Sequence, residues 1–129
     1  YAASKWALEG MSESLHFETS GAGIRVHLIE PGRFPTTGFH DNIVHPTSWE
    51  GSADQARAAS LREALKALDS QGPQDPQLVA DAIARAAVDP ATPFRTIVGQ
   101  DGELIAAAKG SMSFEDFDAA LRATLSWYE

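Results

Sequence analysis

The chain has 129 residues, 43% of them hydrophobic and 22% charged, the composition of one globular domain or a large part of one. Its 18 acidic and 10 basic residues leave a net charge of -8, which repels phosphate backbones and excludes nucleic acid as an expected partner. The absence of cysteine rules out disulfides, thiolate zinc sites and a cysteine nucleophile; with no apolar run of membrane-span length and no leading signal peptide, no membrane partner and a cytoplasmic location are expected.

Residues 1–20 read as a helix with apolar positions at Trp6, Met11, Leu15 and Phe17. Gly10 lies mid-helix, at a cost of about 1 kcal/mol relative to Ala, which close helix packing would explain. Gly21 and Gly23 stop the helix. Because the first residue already sits in a helical pattern, the chain is expected to be a piece of a longer product.

The β-branched run 24–29 reads as a strand buried on at least one face, ended by Pro31-Gly32. A long segment, 33–52, follows, punctuated by Pro35, Gly38, Pro46 and Gly51; loops this long are often functional lids. Residues 53–70 read as an amphipathic helix with Leu61, Leu65 and Leu68 on one stripe. Asp75-Pro76 opens another helix, with Val79, Ile83 and Ala87 as its predicted buried stripe and Asp89-Pro90 as its end. Residues 94–98 read as a second strand and 101–109 as a helix. Ser113 and Asp116 resemble a capping box before a last helix with Phe117, Leu121 and Leu125 inward. This order predicts an α/β protein with a parallel sheet. Buried parallel strands need neighbours on both sides, so further strands are expected upstream of this sequence.

The opening Tyr1-Ala2-Ala3-Ser4-Lys5 places a phenol and an ammonium one helical turn apart, about 6 Å along the axis. An ammonium there stabilises a phenolate and lowers its pKa, so the tyrosine can exchange a proton with a carbonyl or an alcohol. The bare spacing is common on helix surfaces, and alone it reads more readily as an exposed tyrosine and lysine.

The flanking residues reverse that balance. The run 1–15, then Gly23-Ile-Arg-Val-His-Leu-Ile-Glu-Pro31-Gly32 and Thr36, resembles the short-chain dehydrogenase/reductase family in motif order and spacing. The close resemblance covers residues 1–37. It implies the C-terminal half of a Rossmann-like, doubly wound parallel sheet, with residues 1–129 forming the catalytic and substrate part of one dehydrogenase domain. By the same resemblance, Tyr1 is the catalytic acid/base, and Lys5 lowers its pKa and binds the nicotinamide ribose. Pro31, Gly32 and Phe34 border the nicotinamide, and Thr36 hydrogen-bonds the cofactor. The expected activity is hydride transfer between NAD or NADP and a carbonyl or secondary alcohol, in a homo-oligomer formed through the first helix. The family's glycine-rich phosphate loop and catalytic serine have no counterpart in these residues. The alternative is therefore a non-catalytic Rossmann-like fragment that acts only by association.

Phe39, His40 and Trp49 are candidate substrate-lining residues in the long loop, with Ile43 and Val44 as apolar neighbours; the apolar ones serve equally well as plugs holding the loop down. His40 and His45 match no zinc spacing, so no metal is expected. Asp101 and Glu103 read as turn and helix-start residues, and the acidic residues 115, 116 and 118 as a first turn favoured by the helix dipole. His16 and His27 read as packed or surface side chains.

Overall fold

The computed structural model describes residues 1–39, 42–66 and 72–125. Among them, five helices and two short strands follow one another along the chain: α1 (Ala2–Ser20), β1 (Leu28–Pro31), α2 (Ala53–Lys66), α3 (Gln77–Val88), β2 (Arg95–Val98), α4 (Gln100–Ser111) and α5 (Phe114–Leu125). The strands pair in parallel, with Leu28 opposite Arg95 and Pro31 opposite Val98. The class is α/β, as the element order predicts.

β1 begins four residues later than the apolar run 24–29 suggests and includes Pro31. The partner strand explains this. The ladder starts where the Leu28 amide donates to the Phe94 carbonyl at 2.6 Å. One residue further upstream on the partner is Pro93, which has no N–H to donate. Its carbonyl instead lies 3.0 Å from the His27 ring. Arg25, inside the predicted strand, has turned its guanidinium to the end of α3. It donates to the carbonyls of Ala86 at 3.2 Å, Ala87 at 2.9 Å and Asp89 at 2.9 Å. The last carbonyls of a helix lack intrahelical partners and carry its negative dipole end, so a cation there satisfies both needs.

α3 packs against both strands. Its buried stripe is Ala82 and Ala86, with Val79 half-buried, whereas Ile83 and Ala87 face outward. The predicted stripe of Val79, Ile83 and Ala87 is therefore rotated toward the smaller residues. Two alanines at helical spacing bring the α3 backbone close to the sheet, where a branched Ile83 would hold it away. Asp75 starts α3 as expected, its carboxylate accepting the Gln77 amide at 2.9 Å. The Ser113 box also forms: the Ser113 hydroxyl donates to Asp116 at 2.8 Å and accepts the Asp116 amide at 3.1 Å. Phe117 and Leu121 are half-buried and Leu125 is buried, as predicted. Within the predicted α2 stripe, Leu61 and Leu65 are half-buried and Leu68 lies outside the described residues.

α1 buries none of its residues. It is held by the ion pair of Glu9 with Arg95 at 3.0 Å, by His16 against the Phe94 ring at 5.0 Å, and by Lys109 over Trp6 at 5.0 Å. Among the described residues nothing lies within 4 Å of the place a Gly10 Cβ would occupy, so the close packing expected there does not occur among them. Among the described residues no helix is long and apolar enough to cross a membrane.

The Arg25 cap gives a direct test. Arg25→Met keeps much of the stem and removes three charge-assisted hydrogen bonds, so it should lower unfolding free energy by about 1–2 kcal/mol in urea denaturation.

Candidate functional site

Two elements carry the predicted site residues. The first is the N-terminal turn of α1. The Tyr1 carbonyl accepts the Lys5 amide at 3.0 Å and the Ser4 hydroxyl at 2.7 Å, which fixes the turn. Lys5 Nζ lies 5.5 Å from the centre of the Tyr1 ring. Phe39 meets the same ring edge-on at 6.3 Å. Tyr1 is 81% exposed, so its side chain is open to a reactant. The long loop thus returns to the phenol and gives it one apolar wall.

The second is the turn after β1. Pro31 is exposed, and Gly32 and Phe34 are half-buried. The Gly32 amide donates to the Val98 carbonyl at 2.8 Å and closes the ladder. Phe34 and Thr37 close a turn through the Phe34 carbonyl, which accepts the Thr37 amide at 3.1 Å and the Thr37 hydroxyl at 2.9 Å. Pro35 and the exposed Thr36 occupy its two central positions, where proline's fixed φ suits the first.

What packs against Gly32 is a carboxylate. A Cβ at Gly32 would lie 2.3 Å from Asp101 Oδ1. Asp101 is only 6% exposed and accepts the Arg33 amide at 2.7 Å. Its other oxygen accepts from Gln74 Nε2 at 2.9 Å. Gln74 Oε1 in turn accepts the Gln100 amide at 2.8 Å. Gly99, between β2 and α4, has φ of 108°, a conformation that a side chain would strain. Asp101, which reads as turn chemistry in the sequence, is in the fold a buried tie between α4, the segment before α3, and the turn after β1. The one cue in the sequence is an aspartate between Gly99 and Gly102 directly after a strand.

The remaining loop residues lie apart from Tyr1. His45 stacks on Trp49 at 4.4 Å and 6°. Both line an open cavity of about 670 Å³ with Gln55, Ala56 and Arg62 of α2, and neither Tyr1 nor Phe39 lines it. The three candidate substrate residues are therefore not brought together: Phe39 joins the tyrosine, Trp49 joins α2, and His40 lies outside the described residues. No cluster of three or more His, Asp or Glu that could hold a metal ion occurs among the described residues.

Residues 1–46 match the short chain dehydrogenase family. The family match is to this segment, and the remaining residues lie outside it. A 3-ketodihydrosphingosine reductase of Bacteroides thetaiotaomicron is 36% identical over 101 residues, covering 77% of this chain and 36% of the relative. An uncharacterized oxidoreductase of Bacillus subtilis, YusZ, is 37% identical over 89 residues, covering 67% of this chain and 31% of the relative. The uncharacterized oxidoreductase YbbO of Escherichia coli K12 is 54% identical over 43 residues, 33% of this chain and 16% of the relative. The chain thus spans about a third of the length of the first two relatives. No solved structure matches it.

On the α1-facing side of the strands, Arg95 donates to both Glu9 and Glu30. Burial raises the Glu30 carboxyl above its ordinary 4.5; Arg95 pulls it back and the like charge of Glu9 adds to the rise. The folded state therefore holds the Glu30 proton more tightly than the unfolded chain does. That contribution is fully present below pH 4.5 and is lost as pH rises through the raised value. Glu30→Gln removes it. The stability of the wild-type protein relative to Glu30→Gln should fall as pH is raised from 4.5 and then level off, measured by urea denaturation across pH. A flat or rising difference would contradict the assignment.

Proposed function

We propose that the protein containing this segment is an NAD- or NADP-dependent oxidoreductase, and that residues 1–129 form the C-terminal catalytic and substrate part of its dehydrogenase domain. The observation that carries the reading is the pair of Tyr1 and Lys5 on one turn of α1, the ammonium 5.5 Å from the ring centre, inside the segment that matches the family. The relatives' names, a reductase and two oxidoreductases, support the same chemistry.

The residues present fit a nicotinamide at the carboxyl end of the two parallel strands, the usual ligand position in open α/β sheets. Pro31 and Thr36 are exposed there. A bound nicotinamide supplies or accepts the hydride. When a carbonyl is reduced, the Tyr1 hydroxyl gives its proton to the carbonyl oxygen as the carbon receives the hydride; oxidation of an alcohol reverses both transfers. Lys5 favours the phenolate left behind and donates hydrogen bonds to ribose hydroxyls. Pro31, Gly32 and Phe34 border the ring, Thr36 hydrogen-bonds the cofactor, and Phe39 forms part of the substrate wall.

Tyr1→Phe should lower turnover at least about 100-fold with cofactor affinity little changed, because the proton is needed only for chemistry. Lys5→Ala should weaken both. Steady-state kinetics and cofactor titration of the full-length protein read the two effects separately. Turnover of Tyr1→Phe close to wild type would exclude the mechanism.

The protein also assembles through α1 in this reading. On α1, Trp6 is 64% and Phe17 71% exposed, which suits a face covered by a second subunit. Trp6→Glu with Phe17→Glu should convert the oligomer to a monomer in sedimentation, and an unchanged oligomer would exclude α1 as the interface.

A further inference from the structure

We infer that Asp101 is a positioning residue of the oxidoreductase site: its buried carboxylate fixes the main chain of Gly32 and Arg33 where the nicotinamide is to be bordered. The inference rests on the function proposed above and goes beyond it, because Asp101 lies outside the family-matched residues 1–46.

Four observations converge. The Arg33 amide, first after Gly32, ends on Asp101 Oδ2 at 2.7 Å. Gly32 has no room for a side chain because Asp101 fills that space. Gly102 backs the same contact, since a Cβ there would lie 3.3 Å from the Gly32 Cα. Asp101 is itself held by Gln74, and Gln74 by the Gln100 amide. The polarity of this chain of hydrogen bonds is fixed. Two amides donate at its ends, so between them the carboxylate accepts twice and the carboxamide donates once and accepts once. The Arg33 guanidinium secures the other side of the turn by donating to the Leu65 carbonyl of α2 at 2.6 Å. Buried, charge-assisted and doubly anchored, the carboxylate sets the turn far more firmly than an exposed loop contact would.

The polarity makes a specific test possible. Asp101→Asn leaves one acceptor where two are needed, and flipping either side-chain amide only moves the clash to the other end. Asp101→Asn combined with Gln74→Glu restores a consistent chain. The carboxamide introduced at position 101 accepts from the Arg33 amide and donates to the carboxylate introduced at position 74, and that carboxylate accepts the Gln100 amide. The weaker donation of Gln74 to the Arg33 carbonyl at 3.4 Å is lost in the double variant.

In the full-length protein labelled with 15N-arginine, exchange of the Arg33 amide with solvent should speed up at least about tenfold in Asp101→Asn and return toward wild type in the double variant. Turnover should follow, with kcat falling about 10- to 100-fold in the single variant, cofactor KM changing less than about threefold, and kcat largely recovered in the double variant. Should Asp101→Asn fail to fold, Gln74→Met, which removes one support and keeps the carboxylate, should show the same kcat-over-KM pattern at smaller size. An Arg33 amide indifferent to Asp101→Asn overturns the inference. So does an exposed amide with unchanged kcat, or a double variant no better than the single. A wild-type protein with no nicotinamide-dependent turnover, but with the expected amide response, sinks the proposed function and the positioning role with it while leaving the hydrogen-bond chain as an element of the fold.

Discussion

The hydrogen bond from the Arg33 amide to the Asp101 carboxylate sits where three parts of the fold meet. β1 ends one residue before Gly32, α4 begins one residue before Asp101, and Gln74 reaches in from the segment leading to α3. A carboxylate this buried carries a desolvation penalty unless donors surround it. Here the penalty is met by a main-chain amide, a carboxamide and the first turn of α4, where the helix dipole favours negative charge. The identities of Gly32, Gly99 and Gly102 follow from the same constraint. One leaves space for the carboxylate, one adopts a positive φ beside it, and one lets α4 approach the turn.

Around this point the apolar core is thin. Among the described residues only Ala82, Ala86, Val98 and Leu125 are buried apolar side chains. The remaining coherence comes from polar ties of long reach: Arg25 to α3, Arg33 to α2, and Arg95 to Glu9 and Glu30. Many large apolar side chains of α1 and the loop, by contrast, lie at the surface, and Tyr1 shares that exposure.

The local features are legible in the sequence. Helix ends at Gly21, Asp75 and Ser113 depend on neighbours one to three residues away, and the structure places them as read. Tyr1 and Lys5 are legible for the same reason, being one turn apart. Sequence and structure diverge where a distant segment decides. The sequence pattern sets β1 too early because the strand's start depends on Pro93, which cannot donate to a ladder. Apolar size points to the wrong stripe on α3, while close approach to the sheet selects Ala82 and Ala86. Asp101 reads as turn chemistry because its partner, Arg33, lies 68 residues away. Phe39 and Trp49 share a loop, yet one edge-packs on Tyr1 and the other stacks beside α2.

The long reach of these ties bears on how the chain acquires its structure. Arg25 waits 61 residues for the first carbonyl it caps, and β1 must likewise wait for β2. Loops of that length must close before any of these contacts contributes, which slows folding relative to a chain held by neighbours in sequence. On a ribosome, α1 can coil as soon as it emerges, but the Gly32 and Arg33 amides lack their acceptors, the Val98 carbonyl and the Asp101 carboxylate, until those residues have left the exit tunnel. Tyr1 and Lys5 thus take up their spacing early, and the turn that faces the nicotinamide in the proposed site is set only after most of this segment has been made.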